Sequence, residues 1–432
     1  MKGFRKNIFI HFVTLIVMLF ASEGLNALTL EEAIALAKEN LPSYKASLIK
    51  VRSTEALYDA SLSPYLPNLD FSASYRRHFT TMDDFNSRNY DLSLSYTLFD
   101  GGKRKASRNI AKLNLDIDKE ESKKSLLDLQ FNVKVSFYTV IAQKEILEQR
   151  RIQLKDAEKD YEVAEGRYKF GVAKLSDVLQ ASVRLEQARF NLIQAEGDYK
   201  KALSDLNSLI GKDLDSQHEL IGSLYSDVSL PERNLLYDLT LKRPEISQAE
   251  KALKIAENNK LLNTSTFYPN ISLNAIYSKR KDDLRRGDLN FTSTTREETV
   301  TSLTLTWNIF ELGKFFKQRS LEFEKNVSLE NLNEIKRTLL LETYKVYEDL
   351  LTNLNKIKVA EEQLKQAEHN YSQALGEYKV GKADILSLIQ AESQLSNARE
   401  QMVNSKLNFI LTKSLLERVL GIESIESLKK PL

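Results

Sequence analysis

Proline is absent from Asn68 to Leu230 and again from Asn270 to Lys430, and these two runs hold most of a chain of 432 residues. Proline removes a backbone donor and clashes with the preceding turn, so proline-free runs rich in Ala, Leu, Glu, Lys, Gln and Arg are where continuous helices persist. Very long helices are therefore predicted. Seven prolines and fourteen glycines leave little loop material for several ordinary domains, and a single long-range architecture fits better. Charged residues make up 28% of the chain at a formal charge of +2. That balance describes solvated helix faces and excludes the concentrated positive charge of a nucleic-acid binder.

The chain is written twice. Pro64-Tyr65-Leu66-Pro67-Asn68 is answered by Phe267-Tyr268-Pro269-Asn270, and Pro42 stands as far from Pro244 as Pro67 does from Pro269. Phe99-Asp100-Gly101-Gly102-Lys103 is answered by Phe310-Glu311-Leu312-Gly313-Lys314, Tyr168-Lys169-Phe170-Gly171 by Tyr378-Lys379-Val380-Gly381, and Gly211 by Gly421. The spacing lengthens between the proline pair and the glycine pair, which places an insertion there, in an expected hairpin loop. The expected boundaries are residues 28–230 for the first structural repeat and 231–432 for the second, two units too long to be solenoid repeats. Capping-box signals open both, Thr29 with Glu32 and Ser229 with Glu232, each followed by a helix ending before Pro42 or Pro244.

Residues 1–27 read as a secretory signal: Lys2, Arg5 and Lys6, an apolar run from Ile8 to Phe20, then small and polar residues to Ala27,. No later segment is apolar enough to span a bilayer as a helix, so a membrane crossing would fall to strands. Cysteine is absent, which excludes disulfides, thiolate metal sites and a lipidated N-terminal Cys. His11, His78, His218 and His369 show no metal-ligand spacing, and no convergent set of titratable groups suggests an enzyme. No cofactor is expected.

After Pro67 the pattern switches to period two. Leu69, Phe71, Ala73 and Tyr75 alternate with polar residues, as do Tyr90, Leu92, Leu94, Tyr96 and Leu98. The second copy repeats this with Ile271, Leu273, Ala275 and Tyr277, then Leu303, Leu305, Trp307 and Ile309. Strands of about ten residues, the length that crosses a bilayer when tilted, are expected near 68–76, 90–99, 270–278 and 300–310. The segments between them, Arg77 to Asn89 and Lys279 to Thr299, are expected as long, polar, charged loops. Alternation alone is equally compatible with two soluble hairpins burying one face. Four strands are too few to close a transmembrane barrel, and open edges are not tolerated in lipid, so a membrane reading requires oligomerisation. Three copies would supply twelve strands and room for water.

From Gly102 to about Gly166 a helix of roughly 65 residues would reach about 100 Å. From Leu175 to Ile210 apolar or small residues recur in steps of three and four: Val178, Ser182, Leu185, Ala188, Leu192, Ala195, Tyr199, Ala202, Leu206 and Leu209. The same steps run from Ile385 to Val419, with Glu392 the one charged exception. Such seams are what coiled-coil packing requires. A further helix from Ser43 to Tyr65 would stack on the return helix beside the long one. Gly101-Gly102-Lys103 lacks the full spacing of a phosphate loop and reads as a strand-to-helix junction.

In this order and twice over, Leu30-Glu31-Glu32-Ala33, Tyr65-Leu66-Pro67-Asn68, Leu98-Phe99-Asp100-Gly101-Gly102, Arg167-Tyr168-Lys169-Phe170-Gly171-Val172 and Glu377-Tyr378-Lys379-Val380-Gly381 resemble the TolC family of outer-membrane efflux proteins. The resemblance covers the whole mature chain. It implies an α+β fold: a duplicated unit of long coiled-coil helices forming an α-helical barrel, with four transmembrane strands per chain completing a twelve-strand barrel in a homotrimer. It places the chain in the outer membrane, among lipid, with a long periplasmic extension. It makes the chain a passive conduit of an efflux or type I secretion system, opened by a periplasmic adaptor and an inner-membrane pump of RND, ABC or MFS type. By position, the helical-hairpin tips near 166–174 and 376–384 would meet the adaptor through Phe170, Gly171, Val172, Val380, Gly381 and Lys382. Asp177 and Tyr378 match residues that link neighbouring helices in the closed family gate, and Asp384 is a further gate candidate. The family's tip arginine is Ala383 here, and its entrance aspartates are Ser387 and Gln390. The alternative function is a periplasmic coiled-coil structural or adaptor protein without a channel; it leaves the four strands unexplained.

Overall fold

The computed structural model describes residues 27–79, 83–224, 233–286 and 290–425. The expected signal, apart from Ala27, and the Ser229–Glu232 capping box lie outside them. The chain begins with β1 (Ala27–Leu28), α1 (Leu30–Asn40) and α2 (Pro42–Ala60), then β2 (Asn68–Phe79) and β3 (Asp83–Phe99). The helices α3 (Lys103–Lys169) and α4 (Leu175–Ile210) follow, with β4 (Glu219–Leu220) after them. The order then recurs: α5 (Arg233–Thr240), α6 (Pro244–Ser265), β5 (Asn270–Arg286), β6 (Asn290–Thr306), α7 (Leu312–Lys379) and α8 (Ile385–Leu420). Two compact units divide the chain, and each draws on both sequence halves.

One unit comprises Met1–Lys45, Leu126–Tyr237 and Glu342–Leu432. Thr29 starts α1 with a full capping box, its side chain accepting from the Glu32 N–H while Glu32 accepts from the Thr29 N–H, satisfying two donors that a helix start leaves free. Ala33 and Ala37 on α1 are buried with Leu129, Val133 and Phe137 of α3 and Leu203, Leu206 and Ile210 of α4. Asn40 donates to the Ile210 carbonyl at 2.9 Å, and β1 pairs in parallel with β4. The predicted seams are the buried faces: Val178, Leu185, Ala188, Ala195, Ala202 and Leu206 on α4, and Ile385, Leu388, Leu395, Ala398, Met402, Phe409, Leu416 and Val419 on α8. Both return helices end at a left-handed glycine, Gly211 and Gly421.

The other unit comprises Ala46–Ser125 and Asp238–Leu341. Its helical core joins Ile246 and Ala249 of α6 to Leu332 and Leu339 of α7. Its sheet is antiparallel in the order β2-β3-β5-β6. The register sets Leu69 opposite Leu94, Leu94 opposite Ala275, Leu273 opposite Leu303 and Ile271 opposite Leu305, so one apolar band crosses all four strands. None of the described residues covers it: Phe71 is 69% and Leu303 67% exposed. The opposite face carries Asp70, Ser72, Asp91, Ser93, Asn274, Ser278, Ser302 and Thr304, interrupted by Ile276 and Val300. Ser278 donates to Asp91 there at 2.7 Å. Among the described residues β2 and β6 each have a strand neighbour on one side only.

The structure corrects four boundaries. The segments 77–89 and 279–299 were expected as loops, but strand pairing runs through most of both, from His78 opposite Phe85 to Arg286 opposite Asn290. The backbone ladder is indifferent to side-chain polarity. The first segment holds no Gly or Pro and the second only Gly287, and opposite charges face each other across strands, Lys279 to Glu297 at 2.7 Å,. The fourth strand ends at Thr306 rather than near 310; the Trp307 indole donates to the Phe267 carbonyl at 3.0 Å, which draws the chain out of the ladder. The helix expected from Ser43 to Tyr65 is α2 to Ala60 followed by a 3-10 turn at Ser63–Tyr65, because Pro64 has no N–H to donate to the Ala60 carbonyl and its ring would crowd that carbonyl. Finally, α3 continues past Gly166 to Lys169, since its stop is the left-handed Gly171.

The junction from β3 into α3 is built on Asp100. Its carboxylate accepts from the backbone of Gly102 at 3.1 Å and of Arg104 at 3.0 Å, and pairs with the Arg104 side chain. Gly101 has φ +64, and a Cβ there would stand 2.6 Å from the Ser265 carbonyl oxygen and 2.9 Å from the Tyr268 Cβ. Gly101→Ala is expected to cost about 2 to 3 kcal/mol, combining left-handed strain with overpacking against backbone. The midpoint of thermal unfolding followed by circular dichroism measures it; an unchanged midpoint would show that the junction yields.

Candidate functional site

The two helical-hairpin turns form the candidate site. Each long helix ends in a Schellman turn. At the first, the Gly171 N–H donates to the Tyr168 carbonyl at 2.9 Å and the Val172 N–H to the Arg167 carbonyl at 2.9 Å; at the second, Gly381 donates to Tyr378 at 3.1 Å and Lys382 to Glu377 at 2.9 Å. Both glycines are left-handed, φ +72 and +80, a conformation other residues avoid. The turns leave Phe170 86% exposed, with Val172 and Val380 also exposed, while Lys382 is exposed beside them.

The return helices start on capped turns. Asp177 accepts from the Lys174 N–H at 3.4 Å and the Ser176 hydroxyl at 3.2 Å. Asp384 is the N-cap of α8 and accepts from the Ser387 hydroxyl at 2.7 Å and N–H at 2.9 Å. The Ser387 hydroxyl and N–H hold the Asp384 carboxyl below its ordinary range. Tyr378 is 1% exposed and packs with Ala164, Ala181, Ala374, Ile385, Leu388 and Ala391. Burial pushes its hydroxyl pKa up against the opposing Arg167 charge, and that hydroxyl has no hydrogen-bond partner among the described residues. The three gate candidates thus sit together at the hairpin ends, with both carboxylates engaged in helix capping.

The sequence reading quoted Arg167 within a tip motif but gave it no role, and it missed a buried charged cluster about two to four turns further in. Arg167 reaches from the first hairpin to the Tyr378 and Lys379 carbonyls of the second. The cluster sets Arg184 of α4 against Glu392 of α8, with Asp160 of α3 nearby, accepting from the Tyr371 hydroxyl of α7 at 3.4 Å. Arg399 approaches Asp156 at 3.6 Å. Burial, then the charges of Glu392 and Asp156, raise the Asp160 carboxyl to about 7. Glu392 had shown itself in the sequence as the charged break in the α8 seam. Its partner Arg184 lies off the α4 seam and carried no such signal.

Among the described residues no helix is long and apolar enough to cross a membrane, and no acidic or histidine group has metal-binding form. A family profile described as outer membrane efflux protein matches residues 33–212 and 235–421. The chain belongs to that family. As an outer membrane efflux protein it resides in the outer membrane, and it is not an enzyme, as the sequence reading held. It is 27% identical to Protein CyaE of Bordetella pertussis over 58% of this chain and 55% of that protein. It is 25% identical to the toluene efflux pump outer membrane protein TtgC of Pseudomonas putida over 71% and 63%, and 22% identical to the alkaline protease secretion protein AprF of Pseudomonas aeruginosa over 94% and 87%. The first of these curated relatives is thus matched over little more than half its length. Among solved structures, CusC superposes with a TM-score of 0.80 at 19% identity, covering 91% of this chain and 92% of that one. The open state of Neisseria gonorrhoeae MtrE gives 0.78 at 18%, covering 91% and 89%. These likenesses establish the fold of the outer-membrane efflux channels.

Proposed function

We infer that this chain is one subunit of a homotrimeric outer-membrane conduit, and the observation that carries this reading is the sheet. Among the described residues its apolar band is uncovered, its opposite face is mostly polar and both its edges are free. A soluble protein would cover the band, and a bilayer would reject the edges. Joining the edges of three copies answers both demands, giving a twelve-strand barrel with the apolar band toward lipid and the polar face toward water. The two sequence halves, 28–230 and 231–432, then read as a duplicated unit, each supplying one strand pair and one helical hairpin to the conduit.

Transport through such a subunit is passive. The helical hairpins lie in the periplasm, where exposed Phe170, Val172 and Val380, with Gly171, Gly381 and Lys382, offer an apolar contact to a periplasmic adaptor joined to an inner-membrane pump. Asp177, Asp384 and Tyr378 serve the gate by fixing the starts of α4 and α8 and the packing of the α7 end. Opening requires a partner that binds the open arrangement more tightly than the closed one. The relatives are named for toluene efflux and for alkaline protease secretion, so cargo is not carried over from any of them.

The test is the native mass of the protein extracted from outer membranes in mild detergent, paired with conductance in planar lipid bilayers. Three chains and discrete, low-conductance pores are expected. A monodisperse single chain without conductance would overturn the conduit and favour a periplasmic coiled-coil role.

A further inference from the structure

One guanidinium serves both hairpin tips. Arg167 sits in the last turn of α3, where its own carbonyl closes the first Schellman turn. Its Nη1 donates to the Tyr378 carbonyl and, at 3.2 Å, to the Lys379 carbonyl; its Nη2 lies 3.5 Å from the Val172 carbonyl of its own turn. The guanidinium carbon stands 4.8 Å from the centre of the Tyr378 ring. A Cβ on Gly381 would meet the two terminal nitrogens at 3.6 and 3.5 Å, so the glycine that makes the second turn also forms one wall of the guanidinium's site. The carbonyls it reaches lie at the end of α7, that of Tyr378 already accepting from Gly381, where a cation is favoured by the helix dipole,. The duplicated sequence places Glu377 where the first copy has Arg167. The bridge therefore runs in one direction, from the first tip to the second.

We propose that Arg167 is a positioning residue that latches the two hairpin tips of one chain together and so holds the gate closed; the gating half of this rests on the conduit reading above. A planar fork stacked on an aromatic ring and divided between carbonyls is a geometry that lysine cannot reproduce. Two neighbouring polar atoms, Arg167 Nε and Tyr378 Oη, are buried without partners among the described residues. The latched arrangement leaves those groups unpaired, which makes it separable by a partner that offers them acceptors.

The chain has no cysteine, so spin labels can be placed cleanly at Val172→Cys and Lys382→Cys in the full-length protein. With labelled chains diluted in an excess of unlabelled ones, so that an assembly carries one labelled chain, wild type is expected to give one narrow distance between the tips. Arg167→Ala should broaden and lengthen it with helix content unchanged, and Arg167→Lys should restore it only in part. In bilayers Arg167→Ala should raise pore conductance severalfold, with Arg167→Lys intermediate. An unchanged distance in Arg167→Ala overturns the latch whatever the pores do. A changed distance with unchanged conductance in a pore-forming protein overturns its role in gating. A changed distance in a protein whose wild type forms no pores upholds the latch and overturns the conduit.

Discussion

Arg184→Ala is expected to destabilise the helical unit by about 3 to 5 kcal/mol, the cost of leaving a buried charge without its partner. Glu392 is 3% exposed in the seam of α8, and the Arg184 guanidinium is its ion-pair partner. The nearby Asp160 carboxyl offers no substitute, since it feels Glu392 as a repulsive charge. Without the arginine, the Glu392 carboxylate is left in the seam without its ion-pair partner. Replacing both residues with leucine should recover most of the loss, because a well-packed apolar pair costs no desolvation. Chemical unfolding followed by far-ultraviolet circular dichroism measures both variants. A loss below about 1 kcal/mol for Arg184→Ala would mean that the pair behaves as a solvated surface contact.

Asp160→Asn should stabilise the same unit in mild alkali and change nothing in acid. The Asp160 carboxyl is raised from an ordinary 3.8 to about 7, so between these values the folded chain holds a proton that the unfolded chain has released. Stability from this group is therefore lost as pH rises through that window and is level above it. The charged groups facing it are Asp156 on its own helix, Glu392 on α8, and Lys379 with the Tyr371 hydroxyl on α7. Asparagine keeps a hydrogen-bond acceptor for Tyr371 and removes the charge. The expected gain is roughly 2 to 4 kcal/mol at about pH 8, vanishing near pH 4. Carboxyls held low by their partners, such as Glu121 beside Gln248 and Asp384 beside Ser387, titrate with the opposite sign. They do so equally in wild type and variant, so the difference between the two curves isolates Asp160. Parallel curves would place the carboxyl in contact with water.

Both effects lie in contacts that no local pattern announces. The sequence marked Glu392 as an anomaly by its position in an apolar repeat, yet Arg184 is one of many charged residues on α4, and Asp160 one of many on α3. What selects them is the meeting of four helices. Arg167 was written within a tip motif, but its reach to carbonyls more than two hundred residues away depends on how two hairpins pack.

What the sequence determined by itself was everything governed by neighbours within a few residues. The Thr29–Glu32 capping box, the left-handed stops at Gly171, Gly211, Gly381 and Gly421, the Asp100-Gly101-Gly102 junction and the bounds of Leu175–Ile210 all follow from backbone conformation and helical spacing. Alternation also marked the apolar half of each strand. Only the tertiary structure decided how far the ladder continues through the charged segments, because pairing there depends on the register of a partner strand and on cross-strand charge pairs such as Lys279 with Glu297. It likewise decided which polar residues of the helices are buried, and with whom. Burial is a property of the packed neighbours, and desolvation acts on a side chain only once those neighbours have arrived.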